Sequence, residues 1–141
     1  MLATAKPIRL FLAWFAMLLV AMANGALRDL VYGRYMSELA AHQASTATDM
    51  VLLGLIMRAY VRIYPPPCAR HAVLVGLSWA ALTIAFEFLF FHYIGGRSWT
   101  ELLSNYNILA GRVWVLVPLW VAVAPYLFFR LRRARLRSTR T

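Results

Sequence analysis

Four apolar runs divide this chain, at roughly 8–27, 47–64, 72–94 and 107–129, and polar or proline-rich stretches separate them. The hydrocarbon core of a bilayer is about 30 Å thick, so a crossing helix needs about 20 predominantly apolar residues. Each run approaches that length and predicts a transmembrane helix. The second is the weakest, because it holds Asp49 and Arg58 and stops at Pro65-Pro66-Pro67. Those prolines cannot continue a helix, so they force a short turn before the third run. Ser98-Trp99-Thr100-Glu101 has the spacing of a capping box, which predicts a short amphipathic helix around 99–106 ahead of the fourth run. The expected fold is all-α: a bundle of four transmembrane helices over residues 1–129, followed by a basic tail, 130–141.

Composition points the same way. The chain of 141 residues is 62% hydrophobic and only 14% charged, whereas an ordinary soluble domain carries about 25% charged residues. A soluble fold this small has no room to hide so much apolar surface, but lipid solvates it. The net charge of +10 raises the question of nucleic acid. Six arginines, however, fall in "RLRRARLRSTRT", directly after an apolar run. That is where a basic segment meets an anionic cytoplasmic leaflet, and no folded nucleic-acid reader accompanies it. Anionic lipid is therefore the expected partner of the tail. The single cysteine, Cys68, excludes an intramolecular disulfide framework and a cysteine-rich metal site. Lys6 and Arg9 precede the first run as in a signal peptide, but the run continues to Ala26 without a convincing cleavage site, so a retained helix is expected.

Orientation follows from the basic residues. With the N-terminus cytoplasmic, one side holds Lys6, Arg9, Arg58, Arg62, Arg70 and the six tail arginines, and the other holds Arg28, Arg34, Arg97 and Arg112. Eleven against four is a positive-inside bias, and it places both termini in the cytoplasm. Trp99, Tyr93 and Tyr106 then read as an outer aromatic belt, and Tyr60, Tyr64 and Tyr126 as an inner one.

Depth now gathers the polar residues. Asn24 and Arg28 lie near the outer end of the first helix, and Gln43, Ser45 and Asp49 stand at the outer entrance of the second. Glu87 lies about 22 Å along the third at 1.5 Å per residue, and Tyr106, Asn107 and Arg112 come down from the outer surface into the fourth. An ionised carboxylate facing lipid costs several kcal/mol, so Glu87 is expected to face the bundle. Arg112 is its first expected partner and Arg28 its second, because a guanidinium stays charged and clamps a carboxylate with two bonds. Asn24, Gln43, Asn107 and Tyr106 supply hydrogen bonds to the same layer. Two readings stay open. A buried acid–base pair can simply fix which helices pack, or the layer can be a pocket for an ion, a lipid headgroup or a small polar solute. The inner half offers no matching polar path, so moving a solute right across would require an oligomer or a large rearrangement.

Nucleophile elbows, P-loops, paired carboxylates and zinc motifs are absent, and His42, His71 and His92 have no metal or haem spacing. No cofactor is expected and catalysis has no positive support. Trp14, Trp79, Trp114 and Trp120 read as fillers of helix interfaces. The chain also lacks the first-helix glutamate of small multidrug exporters and the cysteine pairs of thiol–disulfide membrane reductases.

The segments "NGALRDLV" (24–31), "AHQAST" (41–46), "FEFLFFHYIGGRSWTELLSNYNILAGRVW" (86–114) and "AP" (124–125) carry a resemblance. In them the chain resembles a group of small, functionally uncharacterised four-span bacterial membrane proteins. The resemblance implies a bacterial inner-membrane bundle and supplies no catalytic role. Its segments contain Asn24, Arg28, Gln43, Glu87, Tyr106, Asn107 and Arg112, residues that depth places in one layer. The expected function is a non-enzymatic membrane protein whose outer-leaflet pocket, centred on Glu87 and Arg112, binds or helps move a small solute. The alternative is an accessory or assembly subunit with a purely structural polar layer, its helix faces serving a homo-oligomer or another membrane protein. A lipid-modifying enzyme is the third class.

Overall fold

The computed structural model describes residues 6–140 apart from 105, 108, 110 and 112. The described residues form five α-helices and a short 3-10 turn, with no strand among them. Helix α1, Pro7–Leu30, starts on a proline, whose missing N–H lies where no intrahelical partner exists. The 3-10 turn, Tyr32–Arg34, leads to α2, Glu38–Ile63. That helix begins well before the expected 47, because Ser37 caps it: its Oγ accepts the Ala40 N–H at 3.1 Å. After the proline turn come α3, Ala69–Tyr93, and the short α4, Trp99–Ser104. The capping-box serine starts α4, its Oγ accepting the Glu101 N–H at 3.1 Å. The last helix, α5, runs Leu116–Ser138.

Three helices, α1 with its 3-10 extension, α2 and α3, are long and apolar enough to cross a membrane. The fourth apolar run behaves differently. Its helix starts only at Leu116, and the apolar portion, 116–129, is about 21 Å long at 1.5 Å per residue. Ahead of it, Gly111 has φ of +83°, a backbone region that side chains disfavour, and the chain there is not α-helical. Beyond Phe129 the helix does not stop but carries the basic residues on to Ser138, so the tail is an extension of α5. Pro118 sits in the first turn, where its missing donor has no partner to lose, and Pro125 lies inside the helix.

The helices pack as a ring: α1 on α2, α2 on α5, α5 on α3, and α3 more lightly on α1. Without water between them, such helices associate through close packing and interhelical hydrogen bonds rather than hydrophobic burial. Tryptophan supplies both. The Trp79 indole donates to the Leu10 carbonyl at 2.9 Å, and Trp14 donates to Thr83 Oγ1 at 3.2 Å. Each of these bonds joins residues 69 apart, so α1 and α3 run parallel in a fixed register. Trp120 donates to the Met50 carbonyl at 2.9 Å and ties α5 to α2. The four indoles therefore do fill interfaces, each with its N–H spent. Trp79 and Met57 are fully buried at the centre. Tyr60, expected in an aromatic belt, is instead buried edge-on against Trp79, with ring centroids 4.9 Å apart.

Gly76 brings α3 and α5 together most closely. A Cβ built there would fall on the Ala122 carbonyl, 2.9 Å from its carbon. Because α1 and α3 are parallel and α2 and α5 run against them, the start of α1, the proline turn and the end of α5 share one end of the bundle, here the tail end. Arg9 lying over the Tyr64 ring at 4.4 Å marks the same end. The 3-10 turn and α4 lie at the other, the loop end.

Candidate functional site

The Trp14–Thr83 and Trp79–Leu10 bonds hold α1 against α3 toward the tail end. Toward the loop end the two helices part, and a cavity of about 410 Å³ opens between them. Its walls are largely apolar and aromatic, with Trp14, Phe86, Phe90 and Trp114 among them, and α2 contributes Ser45 and Asp49. Arg28, Asp29 and Arg97 also line it. Two carboxylates from facing helices, Asp49 and Glu87, thus border the same space.

Glu87 is buried, and its charge is met by neutral donors. Tyr106 donates its hydroxyl to Oε2 at 2.5 Å and Trp114 its indole N–H to the same oxygen at 2.8 Å. Both donors come from the irregular segment before α5, so Glu87 pins that segment to α3. This is one physical reason the fourth helix starts late: Trp114, expected inside it, is turned toward Glu87 instead. Burial, then the hydrogen bond and charge of Glu87, push the Tyr106 phenol above its usual range, which keeps it a proton donor to the carboxylate. Phe88 stacks on the Tyr106 ring at 5.8 Å between centroids and fixes its angle.

Arg28, the second expected partner of Glu87, pairs instead with its neighbour Asp29 at 2.9 Å, the one ion pair among the described residues. Arg112, the first expected partner, lies outside the described residues. Asn24 is buried, and its amide donates to Ser45 at the carbonyl, 2.9 Å, and at Oγ, 3.1 Å, which joins α1 to α2. Gln43 is exposed and donates to the Gly111 carbonyl at 3.0 Å, holding the irregular segment to α2. Asn107 is exposed, and its backbone N–H closes a turn on the Ser104 carbonyl at 3.1 Å. Of the expected site residues, then, Glu87 and Tyr106 touch, Glu87 and Arg28 share the cavity, and Asn24 and Gln43 act as ties between elements.

The sequence puts Asp49 at the outer entrance of the second helix, outside the expected site. With α2 starting at Glu38, it lies about 16 Å into the helix at 1.5 Å per residue. It is only 3% exposed, and its Oδ1 has no hydrogen-bond partner among the described residues. Asn24 and Arg28 are the polar groups that act on its charge, while the Asn24 amide also donates to Ser45 and Arg28 Nε to Asp29. The signal was available: Asp49 is as much an ionisable residue in an apolar run as Glu87, and Ser45 stands one turn away on the same face.

No family model, curated protein or solved structure matches the chain. What the site does must follow from its own geometry. Among the described residues no group of three or more His, Cys, Asp or Glu comes together to hold a metal.

At the tail end a second depression, about 700 Å³, lies between α2 and the extended α5. Arg58, Arg62, Arg132 and Arg135 surround it over a floor that includes Phe128 and Leu131.

Proposed function

We propose that the protein is a non-enzymatic bacterial inner-membrane protein with four spans, α5 being the fourth, and with both termini in the cytoplasm. Its cavity binds, or helps move, a small solute that enters from the outer leaflet. The observation that carries this reading is the Asp49 carboxylate, buried without a partner for Oδ1 beside a cavity of about 410 Å³. Ligand pockets typically measure roughly 300–1,000 Å³ and combine apolar walls with a few placed polar groups. A structural role suits Glu87 better, since Tyr106 and Trp114 already engage it. That observation favours the alternative, an accessory subunit of a membrane complex, for Glu87 but not for Asp49.

Cys68 provides the test of orientation, being free and exposed in the proline turn. In right-side-out vesicles a membrane-impermeant maleimide should leave it unmodified, and in inside-out vesicles it should react. In a Cys68→Ala background, Gly25→Cys places a thiol on the cavity wall, where a new Cβ meets nothing closer than 3.9 Å. That thiol should react only in right-side-out vesicles. Reaction of Cys68 from the outside inverts the topology, and an inert Gly25→Cys removes the water-accessible pocket.

The tail-end depression extends this reading to the lipid. Four guanidiniums around one groove repel each other unless an anion sits among them, and the apolar floor suits acyl chains, so the groove receives anionic headgroups from the cytoplasmic leaflet. Phosphatidylglycerol added to the detergent-solubilised protein should raise its thermal midpoint by several degrees, and phosphatidylcholine should not. The Arg132→Ala, Arg135→Ala pair should abolish the difference. An equal effect of both lipids would reject a headgroup site.

A further inference from the structure

Resting on the pocket reading above, we infer that the cavity's ligand is an organic cation with an apolar body, its charged head held by Asp49. The first ground is the carboxylate itself. A buried carboxylate oxygen without a donor is costly, and a protein keeps such a group where something relieves it part of the time. The donors around it are engaged elsewhere: the Asn24 amide with Ser45, Arg28 Nε with Asp29, and Tyr106 and Trp114 with Glu87. Asp49 is the lining acid left open.

The second ground is the sign of the charge. The cavity lining carries three acids, Asp29, Asp49 and Glu87, against two guanidiniums, Arg28 and Arg97. Arg28 is neutralised by Asp29, and Arg97 lies over the Phe91 ring at 5.6 Å, away from the carboxylates' hydrogen bonds. An anion would meet the excess of carboxylates, whereas a cation would complete the balance.

The walls decide what kind of cation. A small inorganic ion needs a shell of oxygen ligands, but around Asp49 the cavity offers Ser45 and then mostly aliphatic and aromatic surface. Trp14, Phe86 and Phe90 are suited to the other half of an amphipathic ligand. They accept an apolar body, and aromatic faces attract an ammonium within about 6 Å of the ring. Trp14 and Phe86 already meet edge to face, with centroids 6.1 Å apart, and so form a fixed wall. The ammonium can belong to a soluble amine or to the headgroup of a lipid reaching between α1 and α3, since the chemistry at Asp49 is the same.

The test uses two probes of one shape, benzyltrimethylammonium and its uncharged carbon analogue neopentylbenzene. Both are titrated calorimetrically into the full-length protein in maltoside micelles, with empty micelles as blank. The cation should bind saturably at one site and at least tenfold more tightly than the neutral analogue. Asp49→Asn should remove that preference and leave the analogue's affinity unchanged, while Glu101→Gln, an exposed acid on α4, should change neither. Equal binding of the two probes to the wild type overturns the cation assignment and leaves the pocket standing. No saturable binding of either overturns the pocket as well. The wild-type comparison needs no variant, so it decides even where Asp49→Asn fails to fold. Displacement of the bound cation by phosphatidylethanolamine assigns the ammonium to a lipid, and displacement only by soluble amines assigns it to a free solute. Displacement by phosphatidylglycerol instead contradicts the cation assignment.

Discussion

Gly76→Leu should yield no folded monomer in detergent, and Gly76→Ala should fold with a clearly lower thermal midpoint. The expectation rests on a balance of two effects. Alanine improves helix propensity over glycine by about 1 kcal/mol in an exposed helix. Here the added methyl would fall on the Ala122 carbonyl, with the carbonyl carbon at 2.9 Å. The obstacle is backbone in the middle of α5, so it cannot rotate aside as a side chain would. Overpacking of this kind costs about 1–3 kcal/mol and sometimes more, so the clash wins. Leucine multiplies the intrusion and must separate α3 from α5, the most extensive helix pair in the bundle. Leu77→Ala is the comparison, since Leu77 is its sequence neighbour and half exposed. A Gly76→Ala protein more stable than wild type would mean that the two backbones do not approach so closely.

That contact also marks how far the sequence could be read. Long apolar runs, the capping serine at 98 and the triple proline gave the helical class and three of the long helices, because each is a local signal. The start of α5 was not legible. An apolar run from 107 to 129 has the length of a span, and among the described residues tertiary contacts from Gln43 to Gly111 and from Glu87 to Trp114 hold parts of it ahead of Leu116 out of the helix. The polar residues preceding 47 were likewise set outside α2, although Ser37 starts the helix ahead of them. This shifted Asp49 from an entrance to the interior. Depth along the helices puts Asn24, Glu87 and Tyr106 toward one end of the bundle, yet depth says nothing about rotation around a helix axis. Rotation decides that Asn24 meets Ser45 and that Glu87 meets an indole rather than Arg28.

The two buried carboxylates should respond to neutralisation with opposite signs. Glu87→Ala removes the acceptor of two hydrogen bonds and strands the Tyr106 hydroxyl and the Trp114 N–H. Hydrogen bonds to a charged group contribute about 1.5–3 kcal/mol each, so a loss of about 3 kcal/mol or more is expected. Tyr106→Phe should reproduce part of it. The double substitution should cost less than the sum of the two, because both single changes break one shared contact. Glu87→Gln, which retains an acceptor oxygen, should cost less than Glu87→Ala. At Asp49 the comparison reverses. Asp49→Asn deletes no bond to Oδ1 and removes an ionisable group from a buried position, so stability should stay level or rise by about 1 kcal/mol. A residue whose replacement stabilises the fold is being retained for another purpose. Thermal midpoints of the four single variants in one detergent separate the two roles. A loss at Asp49→Asn as large as that at Glu87→Ala would make both carboxylates packing elements, and the polar layer would then belong to a scaffold rather than a pocket.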